Sequence, residues 1–212
     1  WSRLDRDAVL AAPTYGATAG SARSPAADDE MLRVVRRLSL TRNVDPDRVF
    51  ITGISMGGAL TWRLVQSYPS RWAAAGPEIH GPKEYAGKFG QLRNVAALPL
   101  YVMEGEFDGL NTIHSRDAVR QLLGWNAPVT HVEARNYGHD RLPWLYPRFL
   151  KWLEGRRRDA HPTRVEHWSM NAWEGESSWL AIREVKGAAA FKMKDGAFNP
   201  NDLCGVEAVY ED

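Results

Sequence analysis

The segment Gly53-Ile54-Ser55-Met56-Gly57 sets a serine midway between two glycines, with an apolar run before it and a helix-forming run after it. A serine hydroxyl is a weak nucleophile near neutral pH. It needs a base to take its proton, and the base needs a carboxylate to orient it. The chain supplies both downstream. Glu104-Gly105-Glu106-Phe107-Asp108-Gly109 follows the apolar run Leu98–Met103, and Asn136-Tyr137-Gly138-His139-Asp140 follows Pro128–Ala134. On residue type alone the acid is Glu104, Glu106 or Asp108, and the base is His139, His80, His114 or His131. His131 sits within an apolar run and His114 opens a helix, so neither is well placed to meet a serine. His80 follows the run after the serine and, with Gly81, suits the lining of a pocket.

These residues need a scaffold that brings three loops to one edge. Arg48–Thr52 reads as a buried strand and Gly58–Val65 as a helix, so Ser55 lies at a sharp strand-to-helix turn. Glycine at 53 and 57 leaves room where the two backbones crowd. Ser24-Pro25 reads as a cap with proline at the first helical position, followed by Met31, Val34, Val35 and Leu38 at helical spacing. Ala8–Ala12 and Trp72–Gly76 read as short strands, and residues 83–94 are ambiguous. Leu98–Met103 and Pro128–Ala134 read as strands. His114–Leu123 and the segment from Leu142 through Leu153 read as helices. Strands alternating with helices predict an α/β protein with a doubly wound, mostly parallel sheet. Ligands bind such sheets beyond the carboxyl ends of the strands, which is where the serine, the acidic turn and the His139 loop fall.

Asp45 through Gly58, with Trp62-Arg63-Leu64 after it, closely resembles the nucleophile elbow of the α/β-hydrolase superfamily. It is most similar to the branch holding polyhydroxybutyrate depolymerase-like and feruloyl-type esterases and prolyl-oligopeptidase-like (S9) hydrolases. Leu98–Asp108 is similar to that branch's H-G-x-x-D segment, with Glu104 where histidine is usual and with Gly105 and Asp108 matching. Tyr137-Gly138-His139 is similar to its histidine loop. The resemblance covers residues 8–153 and is most specific at the elbow. It implies Ser55 as nucleophile, His139 as general base, Asp108 as orienting acid and the Met56 backbone N–H as an oxyanion donor. It implies a serine hydrolase acting on carboxylic esters, with an S9-type peptidase as the alternative, and a secreted or periplasmic location. Neither a metal nor a nucleotide cofactor is expected from the residues. A second oxyanion donor comes, in this family, from an H-G-type segment on a strand beside the elbow strand. Tyr15-Gly16 is the nearest and a poor match. The resemblance therefore reads as that of a chain lacking N-terminal strands, with Val9, Leu10, Phe50 and Ile51 under-covered as a result.

At 212 residues, 44% of them hydrophobic and 25% charged, the chain has the composition of a globular protein with one domain and a small appendage. A net charge of +1 gives no basis for nucleic acid or an anionic membrane surface as a partner. Arg156-Arg157-Arg158 reads as a solvated last turn of a helix. Cys204 is the only cysteine, so no disulfide forms within the chain. No His/Cys/Asp cluster has metal-ligand spacing and no Gly-rich phosphate loop follows a strand. The pattern changes near His161-Pro162. Residues 1–158 are expected to form the catalytic unit and 162–212 a β-rich extension, with strands at Arg164–Met170 and Ser178–Val185 and turns at Glu176–Ser178 and Lys186-Gly187. Trp168, Trp173 and Trp179 on that extension are candidates for a carbohydrate-binding face. The expected partner is a small-molecule or polysaccharide-linked ester, and a non-catalytic polysaccharide-binding module is the reading from another class.

Overall fold

A computed structural model describes residues 8–13, 25–82, 91–169, 172–184 and 204–210. The elements in chain order are α1 (Pro25–Arg42), β1 (Phe50–Ile54), α2 (Met56–Ser67), β2 (Ala74–Glu78), β3 (Leu100–Gly105), α3 (Leu110–Gly124), β4 (Val129–Ala134) and α4 (Tyr146–Leu153). Then come β5 (Arg164–Ser169), the two-residue strands β6 (Glu176–Ser177) and β7 (Leu180–Ala181), and β8 (Cys204–Val209). Strands β1 to β4 form one parallel sheet in that order. Parallel strands need crossovers, and each carries helical structure: α2 between β1 and β2, α3 between β3 and β4.

Alternation along the central strands explains why the sheet is covered on both faces. Leu100 and Val102 join Leu64, Val65, Leu92 and Leu122 in a core beneath α2 and α3. Tyr101 and Met103 join Ile79, Leu142, Leu145 and Phe149 in a second core beneath α4. The Phe149 ring lies directly on β2, because a Cβ at Gly76 would come within 2.4 Å of it. Burial follows this layering. Every residue of β2 and β3 is buried.

Strand β1 differs, since all five of its residues are only half-buried. It pairs with β2 alone among the described residues, so its other edge carries no strand. The segment Ala8–Ala12, expected as a strand, has no regular structure, and Val9 and Leu10 are each 51% exposed. A short apolar run becomes a strand only where a partner backbone takes its hydrogen bonds, and none among the described residues meets this one. Tyr15-Gly16 lies outside the described residues.

The β-rich tail is fastened to the sheet and its helices by buried polar contacts. The side-chain amide of Asn94 donates to Gln66 O at 2.7 Å and Trp168 O at 2.8 Å, while its Oδ1 accepts the Trp168 N–H at 2.7 Å. The Glu174 carboxylate accepts from Ser67 Oγ and Gln91 Nε2 at 3.2 and 3.1 Å. The Arg156–Arg158 run is not a solvated turn. Arg156 lies over the Trp152 ring, Arg157 pairs with Asp45, and Arg158 binds Asp47 and the Ser70 carbonyl. Within the tail, residues 176–177 pair as a strand rather than turning. Ser178 takes a positive φ of 53°, so the reversal falls at Ser178-Trp179 and only Leu180–Ala181 remain of the expected second strand. Lys186-Gly187 lies outside the described residues, as do residues 83–90 of the ambiguous segment.

Candidate active site

The elbow is built by close backbone contact. A Cβ at Gly53 would lie 2.4 Å from the Gly57 carbonyl, and one at Gly58 would lie 2.7 Å from the Glu78 carbonyl oxygen. Ser55 sits between them at φ 54° and ψ −111°, a strained conformation for a residue with a side chain. Two backbone bonds hold it there: its N–H donates to Glu78 O and its own carbonyl accepts from Ala59, each at 2.9 Å. Ser55 is also the N-cap of α2, but its side chain makes no capping bond. The first N–H groups of that helix, Met56 among them, face outward at its positive end without a side-chain cap.

The acid and histidine loops are joined as a unit. The Glu106 N–H donates to Ala134 O at 3.0 Å and the Phe107 N–H to Tyr137 O at 2.8 Å. A Cβ at Gly105 would fall 2.1 Å from Gly138 O, so the two loops meet only because position 105 has no side chain. Gly105→Ala is expected to push the Asp108 and His139 loops apart. A misplacement of about 1 Å costs about 10²-fold in turnover. Steady-state kinetics should register this chiefly in kcat, with helical content by circular dichroism unchanged.

The structure brings together Ser55, His139 and Asp108. Ser55 Oγ lies 2.7 Å from His139 Nε2, and His139 Nδ1 lies 2.8 Å from Asp108 Oδ1. The Asp108 side chain is 5% exposed and that of His139 48% exposed, so the acid is sheltered while the imidazole faces the solvent edge. Asn111 Nδ2 donates to the same Asp108 oxygen at 3.3 Å. The rival acids lie elsewhere. Glu106 accepts the Asn136 backbone N–H, and Glu104 is fully buried with Ser115 Oγ as its partner. The rival histidines also have other surroundings. His131 is in β4, where burial lowers its pKa. The His80 carbonyl accepts from Trp62 Nε1 at 2.8 Å, and its side chain is buried. Gly81 packs against α3, where a Cβ would meet Ser115 N at 2.5 Å. His80 and Gly81 therefore wedge between α2 and α3.

Glu78 is a further polar residue beside Ser55, His139 and Asp108, and no motif in the sequence marks it. It is 1% exposed. Its carboxylate accepts the Leu142 N–H at 2.9 Å and the Tyr146 hydroxyl at 3.0 Å. It thus ties the segment just after His139 to the strand just after the elbow. Burial raises its pKa, opposed by those two bonds. A carboxylate interrupting the apolar run from Trp72 to Ile79 was the available signal. It also lines a cavity of about 200 Å³ with Thr52, Ile54, Tyr146 and Phe149, where α4 meets β1 and β2. Among the described residues no group of three acidic, His or Cys side chains is placed to hold a metal, and no helix is long and apolar enough to cross a membrane.

No family model matches the sequence, and no curated protein matches it. Solved structures do. A thermostable esterase is similar at 24% identity and a TM-score of 0.54, over 61% of this chain and 36% of that one. SOBER1 of Arabidopsis thaliana is similar at 18% identity and 0.50, over 65% and 68%. Esterase PE8 is similar at 14% identity and 0.52, over 62% and 60%. The matched part of this chain thus spans about a third of the first of these structures and about two thirds of the others. A four-stranded parallel sheet flanked by helices, an elbow at the carboxyl end of β1 and these likenesses together identify the scaffold as the α/β-hydrolase fold.

Proposed function

We propose that this chain is a serine hydrolase that cleaves carboxylic esters through an acyl-enzyme on Ser55. The observation that carries the reading is the unbroken relay from Ser55 Oγ to His139 Nε2 and from His139 Nδ1 to Asp108 Oδ1. In this reading Ser55 Oγ attacks the ester carbonyl carbon while His139 Nε2 takes the hydroxyl proton. The tetrahedral intermediate collapses, His139 returns the proton to the departing alcohol oxygen, and the acyl group stays on Ser55. A water molecule then repeats the sequence and releases the carboxylic acid. Asp108 keeps the Nδ1–H tautomer and stabilises the imidazolium. The uncapped N-terminus of α2, through the Met56 N–H, faces the charge that develops on the carbonyl oxygen.

An ester rather than a peptide is favoured by two similar structures that are named esterases. Exposed apolar side chains beside the relay, Met56, Phe107 and Tyr137, suit an ester with an apolar acyl or leaving group. The test is a panel of p-nitrophenyl acetate and butyrate set against a prolyl p-nitroanilide, with mass spectrometry of the quenched enzyme. Ester turnover with an acyl adduct on Ser55 is the expected result. Cleavage of the anilide alone would move the reading to the peptidase, and an adduct on any other residue would overturn the mechanism.

A further inference from the structure

One residue touches both halves of the relay. The backbone carbonyl of Glu78, at the end of β2, accepts the Ser55 N–H at 2.9 Å, and Glu78 stands opposite Ile54 in the parallel register. A Cβ at Gly58 would come within 2.7 Å of that carbonyl oxygen, so the elbow helix is pressed against it as well. The side chain of the same residue reaches the segment that leaves the histidine loop. Its Oε1 accepts the Leu142 N–H at 2.9 Å, three residues after His139, and its Oε2 accepts the Tyr146 hydroxyl at 3.0 Å. Glu78 and Leu142 are both buried.

The two halves are otherwise built separately. The Asp108 and His139 loops are bonded to each other through Glu106–Ala134 and Phe107–Tyr137, so they move as one unit. The Gly138 N–H turns back onto Asp140 Oδ2 at 3.3 Å. After it, the next backbone N–H with a partner among the described residues is that of Leu142, on Glu78. Packing supports the carboxyl little on one flank, where it borders the cavity lined by Thr52, Ile54 and Phe149. Resting on the proposed hydrolytic reading, we infer that Glu78 is a positioning residue that sets the distance between nucleophile and base. Its carbonyl fixes the Ser55 backbone and its carboxyl fixes the exit of the His139 loop. The 2.7 Å approach of Ser55 Oγ to His139 Nε2 thus depends on the length of the side chain between those two anchors.

Reach, not charge, is what the position requires. A glutamine offers the Leu142 N–H an acceptor at the same distance, and its amide can donate to the Tyr146 hydroxyl oxygen. An aspartate keeps the charge but is shorter by about 1.5 Å, one carbon–carbon bond. With aspartate, either the Leu142 bond is lost or the loop is drawn toward β2, and in both cases His139 moves relative to Ser55. The Ser55 N–H bond to the backbone of residue 78 is unchanged in either variant, so the nucleophile stays where it is. The shortened side chain also borders an existing cavity, which favours retention of the fold.

The test compares kcat and KM for p-nitrophenyl butyrate in the whole chain, Glu78→Asp and Glu78→Gln. Ring ¹⁵N signals of histidine-labelled protein, assigned by their loss in His139→Gln, report the His139 tautomer alongside. Glu78→Asp should lower kcat by about 10- to 10²-fold with KM changed by less than about threefold, the signature of a displaced base rather than a damaged binding surface. Glu78→Gln should retain at least about a third of wild-type kcat, because both hydrogen bonds survive. His139 should keep its Nδ1–H tautomer in all three proteins, since Asp108 travels with the loop. Wild-type kcat in Glu78→Asp, or a Glu78→Gln as slow as Glu78→Asp, would overturn the inference and leave the hydrolase reading intact. Loss of the Nδ1–H tautomer in Glu78→Asp would do the same, because the damage would then lie in the acid–base pair and not in its distance from Ser55. If Glu78→Asp does not fold, the Glu78→Gln rate still decides whether reach without charge suffices. No turnover by the wild-type chain would overturn both readings.

Discussion

Ser55→Ala is expected to lower ester turnover by about 10⁵-fold and to abolish fluorophosphonate labelling, with the fold retained. The size follows from what the alanine removes. The Oγ that lies 2.7 Å from His139 Nε2 is the only nucleophile in the relay, and without it the remaining donors act on unassisted water. The fold should survive because alanine keeps the Cβ, while the backbone bonds from Ser55 to Glu78 and Ala59 involve no side-chain atom. Ser55→Gly is a useful companion. The serine sits at φ 54° with a Cβ that this region penalises, so glycine should be as inactive as alanine yet more stable by about 1 kcal/mol. Urea unfolding of the two variants, beside initial rates on p-nitrophenyl butyrate, measures both effects. Residual turnover above about 1% in Ser55→Ala would mean that another nucleophile carries the reaction.

The elbow was legible because everything that defines it is local. Two glycines, a strand before and a helix after lie within a dozen residues, and the contacts of Gly53 with Gly57 are fixed by that spacing. The loops bearing Asp108 and His139 were legible for a related reason, since each follows a strong apolar strand and so falls on the same sheet edge. The different placement of Asp108 and Glu104 also follows from the pattern. Leu100, Val102 and Glu104 share one face of β3 by alternation, which sends Glu104 into the core under α3 while the turn beyond Gly105 frees Asp108. What could not be read locally depends on partners distant in the chain. Ala8–Ala12 has strand-like residues but pairs with no strand among the described residues. The split of the tail into β6 and β7 turns on Ser178 accepting a positive φ, which serine does not advertise. Nor does anything in the sequence mark Asn94 as the residue that receives Trp168 from 74 positions away.

Asp108→Asn should reduce ester turnover by about 10⁴-fold, and Glu106→Gln by less than about threefold. Asp108 accepts from His139 Nδ1–H, which leaves Nε2 free to take the Ser55 proton. An asparagine can instead donate its amide hydrogen to Nδ1, which moves the ring proton to Nε2 and turns the base into a donor. The carboxylate charge that stabilises the imidazolium is lost as well. Glu106 is the fair control because it stands two residues away on the same loop, yet its side chain accepts the Asn136 backbone N–H and, among the described residues, does not meet His139. Asn111 would still reach position 108, so the turn should hold its shape and the loss should fall on kcat rather than on KM. Initial rates across substrate concentration, with intact-mass measurement of any accumulated acyl-enzyme, separate the two. If Asp108→Asn keeps more than about a tenth of wild-type kcat while Glu106→Gln does not, the orienting acid is Glu106, and the 2.8 Å contact between Asp108 and His139 is structural rather than catalytic.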